Sequence, residues 1–362
     1  MKRILTLDGG GIRGVFSLEI LLRIESLLRE HFNDPKLVLA DKFDFFAGTS
    51  TGAIIATGLS WGMAVDEILD FYIKHGATMF QPVPWYNPFK RFLVSRFEAK
   101  PLSDMLRRIF SEDGQGEAPA LLDSKRLRTL LLVVLRNHTT GSAWPVTNNP
   151  AALYNDSSLS DCNMKIPLWK LVRASTAAPT FFDPEEIMLG GKRHVFVDGA
   201  ITPYNNPALI AALTAILPCY RLQWETGLDK IRVISVGTMR FSLGAANVKI
   251  SRMWVGYNAP RIPAALIQGV ALEQDYLCRC LGQCIHGEDL DSEIGALQGV
   301  ALSGRDWFGY VRYNKSYMGR VADELLQRNP ELAQLDAIRA VPLLQEIGRA
   351  YAEEHVQIGH LI

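Results

Sequence analysis

Short, nearly unbroken apolar runs alternate along the chain with longer stretches in which apolar residues recur every three or four positions. Ile4-Leu5-Thr6-Leu7 reads as a strand, and beyond a glycine loop the spacing of Leu18, Leu21, Leu22 and Leu28 predicts an amphipathic helix over 15–31. Glu19 with Arg23 and Glu25 with Arg29 stand four apart, acid first, and mark its solvated side. Residues 43–47 predict a second strand, 51–56 a small-residue helix, and 63–73 a helix ended by His75-Gly76. This βαβα order is the signature of a mostly parallel sheet covered by helices. Leu130 to Leu135 is so uniformly apolar that it predicts a central strand buried on both faces. Helices are expected over 102–110, 168–178, 207–217 and 264–284, and strands over 194–198, 231–236 and 310–313. The pattern breaks over 80–97, where Pro82, Pro84 and Pro88 forbid a long helix. There Phe80, Trp85, Tyr86, Phe89, Phe92 and Phe97 alternate with Lys90, Arg91 and Arg96, which suits either a stiff cover or a lid that anchors in lipid.

No internal repeat, low-complexity stretch or linker interrupts this order, so one domain over 1–314 with a helical extension over 315–362 is expected. A chain of 362 residues, 48% hydrophobic, can fill a sizeable core. Its 38 basic and 38 acidic residues balance, so no overall field favours a nucleic-acid polymer. Five cysteines suit reduced thiols better than a disulfide frame. Met1-Lys2-Arg3 leads straight into the first strand, and no run approaches the ~20 apolar residues of a membrane span, so a cytoplasmic protein is expected.

Candidate chemistry sits where strands end. Gly48-Thr49-Ser50-Thr51-Gly52 joins a strand to a helix and has the form of a nucleophile elbow, in which Gly48 and Gly52 make room for a strained backbone that thrusts the Ser50 hydroxyl outward. The competing reading is a small-residue loop that only caps the helix. Asp8-Gly9-Gly10-Gly11-Ile12-Arg13-Gly14 also joins strand to helix and satisfies a dinucleotide fingerprint, with Asp41 as a late candidate for the ribose acid. That reading leaves the elbow without a role. Taken with the elbow, the loop reads as an oxyanion hole: Gly9, Gly10, Gly11 and Gly14 let N–H groups turn inward, and Arg13 adds positive charge.

Ser50 needs a base. His286, His355 and His360 are candidates, yet none lies at a strand end, and all three read as surface histidines. Asp198 ends a strand as Ser50 does, and C-terminal strand ends gather at one edge of a parallel sheet, so Asp198 is the expected base. Alone in that role it needs a partly dry site to raise its pKa. Cys278, Cys280, Cys284 and His286 fit no familiar zinc spacing.

Together the glycine loop, the elbow and Asp198-Gly199-Ala200 resemble the patatin-like phospholipase family, in the family's order. Ala40-Asp41-Lys42-Phe43-Asp44, Phe71-Tyr72-Ile73-Lys74-His75-Gly76 and Ser175-Thr176-Ala177-Ala178-Pro179 are similar to plant patatin text, and the likeness runs over residues 3–314. Ala200 departs from members that carry a second glycine there. The resemblance implies a three-layer α/β/α fold and a Ser50–Asp198 dyad hydrolysing acyl esters of membrane phospholipids, without calcium or another cofactor, at the inner membrane surface. Size and compartment also resemble bacterial antiphage effectors of this family that a cyclic nucleotide switches on. On that reading Arg252, Trp254, Tyr257 and Arg261 would contribute an activator site. A constitutive lipase, or an idle lipid- or nucleotide-binding module, stays open, as does a homo-oligomer.

Overall fold

A computed structural model describes residues 1–84, 95–241, 261–300, 302 and 306–362. The aromatic segment's Trp85, Tyr86, Phe89, Lys90, Arg91 and Phe92, and the activator candidates Arg252, Trp254 and Tyr257, lie outside the described residues.

The strands are β1 (Lys2–Leu7), β2 (Phe45–Thr49), β3 (Leu130–Asn137), β4 (Ser142–Thr147), β5 (Glu185–Leu189), β6 (Lys192–Asp198), β7 (Ile231–Val236), β8 (Arg240–Phe241), β9 (Gln283–His286), β10 (Gly309–Tyr313) and β11 (Ser316–Tyr317). The helices are α1 (Gly14–Phe32), α2 (Thr51–Ser60), α3 (Val65–Met79), α4 (Ala99–Ile109), α5 (Leu168–Ser175), α6 (Ala208–Ile216), α7 (Ile262–Leu281), α8 (Gly319–Arg328) and α9 (Val341–His355). Nine strands form one sheet in the order β5-β6-β3-β2-β1-β7-β10-β9, with β4 also on β3; β8 and β11 pair separately.

Period-two alternation assigns each sheet residue to one of two apolar layers. Leu5, Phe46, Leu131, Ile234 and Val311 pack on the side covered by α1, α2, α3, α4, α5 and α9. Ile4, Phe45, Leu132, Val233 and Tyr310 pack on the side covered by α6 and the end of α7. The result is the expected three-layer α/β/α arrangement around a mostly parallel sheet.

Glu19 and Glu25, expected on the solvated side of α1, are buried instead, Glu19 accepting from Gln345 of α9 and Glu25 from the Val65 N–H at the start of α3. Three further elements differ from the sequence reading. Helix α3 runs through Gly76 to Met79, because Gly76 presses its bare Cα towards Ile12 and needs no turn. Residues 283–286, expected as the end of a helix, leave α7 at Gly282 and pair with β10. The third concerns β6, expected to run with its neighbours. It is antiparallel to β3, pairing Asp198 with Leu135 and Phe196 with Asn137. Strand β2 is parallel to the preceding part of β3, from Phe45 opposite Leu130 to Thr49 opposite Val134. Since β4 occupies the other edge of β3 over Leu132 to Asn137, β2 and β6 share one edge and meet end to end. Ser50 and Asp198 therefore face each other across the junction of two opposed strands, not along a row of parallel ends.

The C-terminal segment packs on α1. Phe16 and Tyr351 bring their rings to 5.6 Å, Gly348 lies against the Glu19 side chain, and Arg3 Nε donates to the Leu361 carbonyl at 2.8 Å.

Candidate active site

Ser50 stands between the last residue of β2 and the first of α2 with φ 55° and ψ −123°, a positive φ that costs a non-glycine residue energy and here swings its side chain clear of both elements. Two flanking glycines permit the bend. A Cβ on Gly52 would lie 2.2 Å from the Leu7 carbonyl oxygen, and one on Gly48 2.1 Å from that of Gly52, so β1, β2 and α2 meet at distances no side chain tolerates. The strained peptide is tied down from the far side: Ser50 N donates to Ser175 Oγ at 2.9 Å, and Ser175 Oγ donates to the Val134 carbonyl at 2.5 Å.

Ser50 Oγ donates to Asp198 Oδ2 at 2.7 Å, while Asp198 Oδ1 accepts from the Ala200 N–H, also at 2.7 Å. Asp198 is 2% exposed and Ser50 9%. Burial pushes the Asp198 carboxyl up to about 6; the Ala200 N–H, the Ser50 hydroxyl and the charge of Arg173 pull the other way, and burial wins. A carboxylate poised there can accept a proton near neutral pH. Gly199 tucks under the junction, where a Cβ would lie 2.3 Å from the Val134 oxygen, and this seats the strand end against the elbow.

The glycine loop lies beside this pair. Gly9 would press a Cβ to 3.2 Å from that of Ser50, and its N–H and C=O are both engaged, by the Asn205 carbonyl at 3.1 Å and Thr238 Oγ1 at 3.0 Å. Gly11 turns at φ 59° with a would-be Cβ 2.2 Å from the Leu335 oxygen. Among the described residues no backbone acceptor takes the N–H of Gly10 or Gly11. The Gly14 N–H is spent inside its own turn, on the carbonyls of Gly11 and Ile12, and its Cα packs against Thr51. Arg13 Nε is buried without a hydrogen-bond partner, and burial lowers that guanidinium's pKa to about 10.

Asp8, immediately before the glycines, is clasped by Arg312 of β10: Nη1 donates to Oδ1 at 2.9 Å and Nη2 to Oδ2 at 2.6 Å. Arg312 Nη1 also donates to Ser235 Oγ at 2.7 Å. Burial pushes the Asp8 carboxyl up and the guanidinium pulls it down; Arg312 itself is held protonated by the pair. A second buried pair, Arg279 with Asp275 at 2.8 and 2.9 Å, lies alongside, with Arg312 Nε 4.0 Å from Asp275 Oδ2. A cavity of about 780 Å³ opens over Ser50 and Asp198. Its walls combine the glycine loop with apolar side chains such as Ile54, Phe80, Phe181 and Phe182, and its lining includes Arg240, Asp275, Arg279 and Arg312.

Sequence reasoning missed Ser175, Asn205, Thr238 and Arg312. Ser175 alone carried a signal, as the first residue of the Ser-Thr-Ala-Ala-Pro stretch; the others reach the site only through folding. The three late histidines are a correction of another kind. They are not scattered on the surface but half-buried together, His286 with ring centroids 4.8 Å from His360 and 5.6 Å from His355, under the C-terminal segment. Burial, with the two neighbouring imidazoles, lowers the His286 pKa to about 4. None of the three lines the cavity over Ser50. Cys278 and Cys284 are buried free thiols, and no metal-binding cluster is found among the described residues.

Similarity to known proteins follows the same residues. The model of the patatin-like phospholipase family matches residues 5–212. Patatin-17 of Solanum cardiophyllum is 27% identical over 256 residues, covering 66% of this chain and 60% of that protein. The cGAMP-activated phospholipase of Vibrio cholerae serotype O1 is 28% identical over 246 residues, covering 66% of this chain and 64% of that one. This chain thus spans less than two thirds of the length of either relative. Among solved structures, VipD from Legionella pneumophila is matched at a TM-score of 0.37 and 14% identity over 96% of this chain and 67% of that one, too loose a superposition to build on. The family match runs from β1 into α6 and takes in more than half of the 362 residues, glycine loop, elbow and Asp198 included, so the chain belongs to the patatin-like phospholipase family.

Proposed function

We propose that this protein is a lipid acyl hydrolase working through a Ser50–Asp198 dyad on acyl esters of membrane phospholipids. The observation that carries the reading is the 2.7 Å hydrogen bond from Ser50 Oγ to a buried carboxylate whose pKa stands near 6. Ser50 Oγ attacks the ester carbonyl carbon as its proton passes to Asp198 Oδ2. The carbonyl oxygen becomes an oxyanion beside the Gly10 and Gly11 N–H groups and the Arg13 charge, donors of a kind worth roughly 3 kcal/mol each. Collapse breaks the bond to the lipid alcohol, which leaves with the proton from Asp198. Water, deprotonated by the same carboxylate, then cleaves the acyl-serine and releases the fatty acid. Each step uses protein groups alone, so hydrolysis is expected to persist in EDTA. The apolar walls of the cavity suit an acyl chain.

Release of fatty acid from phospholipid vesicles tests this. Wild type should be active, Ser50→Ala and Asp198→Ala inactive, and a fluorophosphonate should label wild type at Ser50. Equal release by all three proteins would sink the dyad, and absence of labelling would favour an idle lipid-binding module. Loss of turnover in His286→Ala alone would shift the base to histidine.

The Vibrio cholerae relative, named for activation by cGAMP, supports a further reading in which a cyclic di- or oligonucleotide switches this enzyme on in antiphage defence. The same release assay, run with a panel of cyclic oligonucleotides, decides it. A rate unchanged by every member would leave a constitutive hydrolase.

A further inference from the structure

Helix α7 has two halves of different character. Its last turns are pinned inside the molecule by the buried Asp275–Arg279 pair and by Cys278. From Ile262 to Leu266 every residue is exposed, and from Ile262 to Leu272 no side chain is charged; Glu273 is the first. Such a stretch cannot be explained by core burial, since Ile262 is 53% exposed and Leu266 63%.

Helical geometry divides this stretch into two faces. Pro263, Ala264, Ile267, Gln268, Ala271 and Leu272 line the cavity over Ser50. Ile262, Ala265, Leu266 and Gly269 lie on the opposite face, outside the cavity, and are exposed. Residues that both line the cavity and stay exposed mark its mouth, and Pro263 and Ala264 are among them. Ile201, three positions after Asp198, is another, 39% exposed. The mouth of the cavity is therefore edged by the uncharged apolar start of a helix whose outer face is exposed among the described residues.

We infer that the first two turns of α7, led by Ile262 and Leu266, are a bilayer-docking surface that dips into the lipid interface and sets the cavity mouth against the acyl chains. The inference rests on the lipid-hydrolase reading and names how its substrate arrives. A bilayer is the occupant the observations favour, because exposed apolar residues, Ile201, Pro263 and Ala264, edge the cavity mouth next to Ile262 and Leu266, no side chain from Ile262 to Leu272 is charged, and the proposed substrate is itself a bilayer component. The uncharged span from Ile262 to Leu272 amounts to about 16 Å of helix at ~1.5 Å per residue, longer than the ~5–10 Å by which interfacial helices enter the headgroup boundary. The buried ion pair at the other end of α7 holds it rigid against the sheet, so insertion at its start positions the catalytic cavity as a unit.

The test uses full-length protein with Ile262→Asp and Leu266→Asp together, two exposed positions outside the cavity lining. Binding is read by co-sedimentation with phosphatidylethanolamine–phosphatidylglycerol vesicles in a Ser50→Ala background, which leaves the vesicles intact. Turnover is read in the Ser50 background on a water-soluble short-chain ester. Vesicle binding should fall about tenfold or more, since two inserted apolar side chains become charged, while soluble-ester turnover stays within about twofold. Vesicle binding that survives both substitutions would overturn the docking surface. So would parallel loss of soluble-ester turnover, which would make α7 part of the reaction site. If the substitutions abolish self-association in size-exclusion chromatography and leave vesicle binding intact, the face joins copies of this chain and the inference fails. A wild type that binds vesicles through α7 but hydrolyses neither ester would refute the dyad and leave the docking surface standing.

Discussion

At the scale of single residues, Asp198 makes opposite demands on catalysis and on stability. In the proposed role of base it must be ionised, so kcat/KM on a soluble ester should rise with pH through about 6 and then level. Its folded pKa lies above the unfolded value of about 3.9, so its contribution to stability is fully present below about pH 4 and is lost as pH rises through about 6. Asp198→Asn should therefore be inactive, yet should gain stability relative to wild type above pH 6 and not below pH 4, as urea titrations at the two extremes would show. Ser50→Ala removes a hydroxyl that holds the carboxyl down, so the Asp198 pKa should move higher in that variant, which carboxyl NMR can follow. Gly52 is the strictest position in the elbow. With a Cβ 2.2 Å from the Leu7 oxygen, Gly52→Ala should lower the unfolding free energy by about 3 kcal/mol, read from denaturant midpoints.

At the scale of elements, the glycine loop depends on what brackets it. Asp8 follows β1 directly and is clasped by Arg312 from β10, so the start of the loop is fixed by a strand two places across the sheet. Arg312→Ala would strand a buried carboxylate, and such a break typically costs about 3–5 kcal/mol. Because Asp8 adjoins Gly9, kcat/KM of any folded Arg312→Ala protein should fall as well, and Arg312→Lys should recover more stability than activity, since an ammonium cannot clasp both oxygens. Ser175 plays the equivalent part for the elbow. Ser175→Ala would leave the Ser50 N–H unpaired and should cost about 1–3 kcal/mol in unfolding free energy.

At the scale of the whole molecule, the C-terminal segment completes the layer that covers one sheet face. Leu344, Tyr351, Ala352, Val356 and Leu361 belong to the same buried cluster as Leu5 and Ile234. Removing residues 341–362 would uncover α1, and the shortened chain is expected to be insoluble or to melt well below the full chain in a thermal scan. The histidine cluster adds an acid-sensitive contact to this segment. His286 has its pKa depressed, so its contribution to stability is present above the unfolded value of about 6.5 and is lost as pH falls towards 4. The groups that meet it are His355 and His360, with Arg279 close enough to oppose its protonation and the Tyr313 ring tilted against it at 5.3 Å while its hydroxyl shares a hydrogen bond with His360 Nδ1 at 2.8 Å. His286→Phe should flatten the acid limb of the stability profile between those limits, compared with wild type across the same buffers. No helix among the described residues is long and apolar enough to cross a membrane.

What the sequence determined alone is local. A serine between Gly48 and Gly52 at the end of an apolar run, glycines after β1, and an aspartate ending another run each announce a strand terminus, because turn geometry and apolar periodicity are written in neighbouring residues. The apolar character of 130–135 likewise announced a central strand. Tertiary structure decided the rest. That β6 opposes β3, and so brings Asp198 end-on to Ser50, depends on hydrogen bonds between segments about sixty residues apart, for which a strand's own side chains carry no direction. That Arg312 answers Asp8, that Ser175 holds the elbow, and that three histidines converge under the tail are likewise matters of long-range placement. So is the exposed start of α7, whose apolar text reads as core although the fold leaves Ile262 and Leu266 exposed.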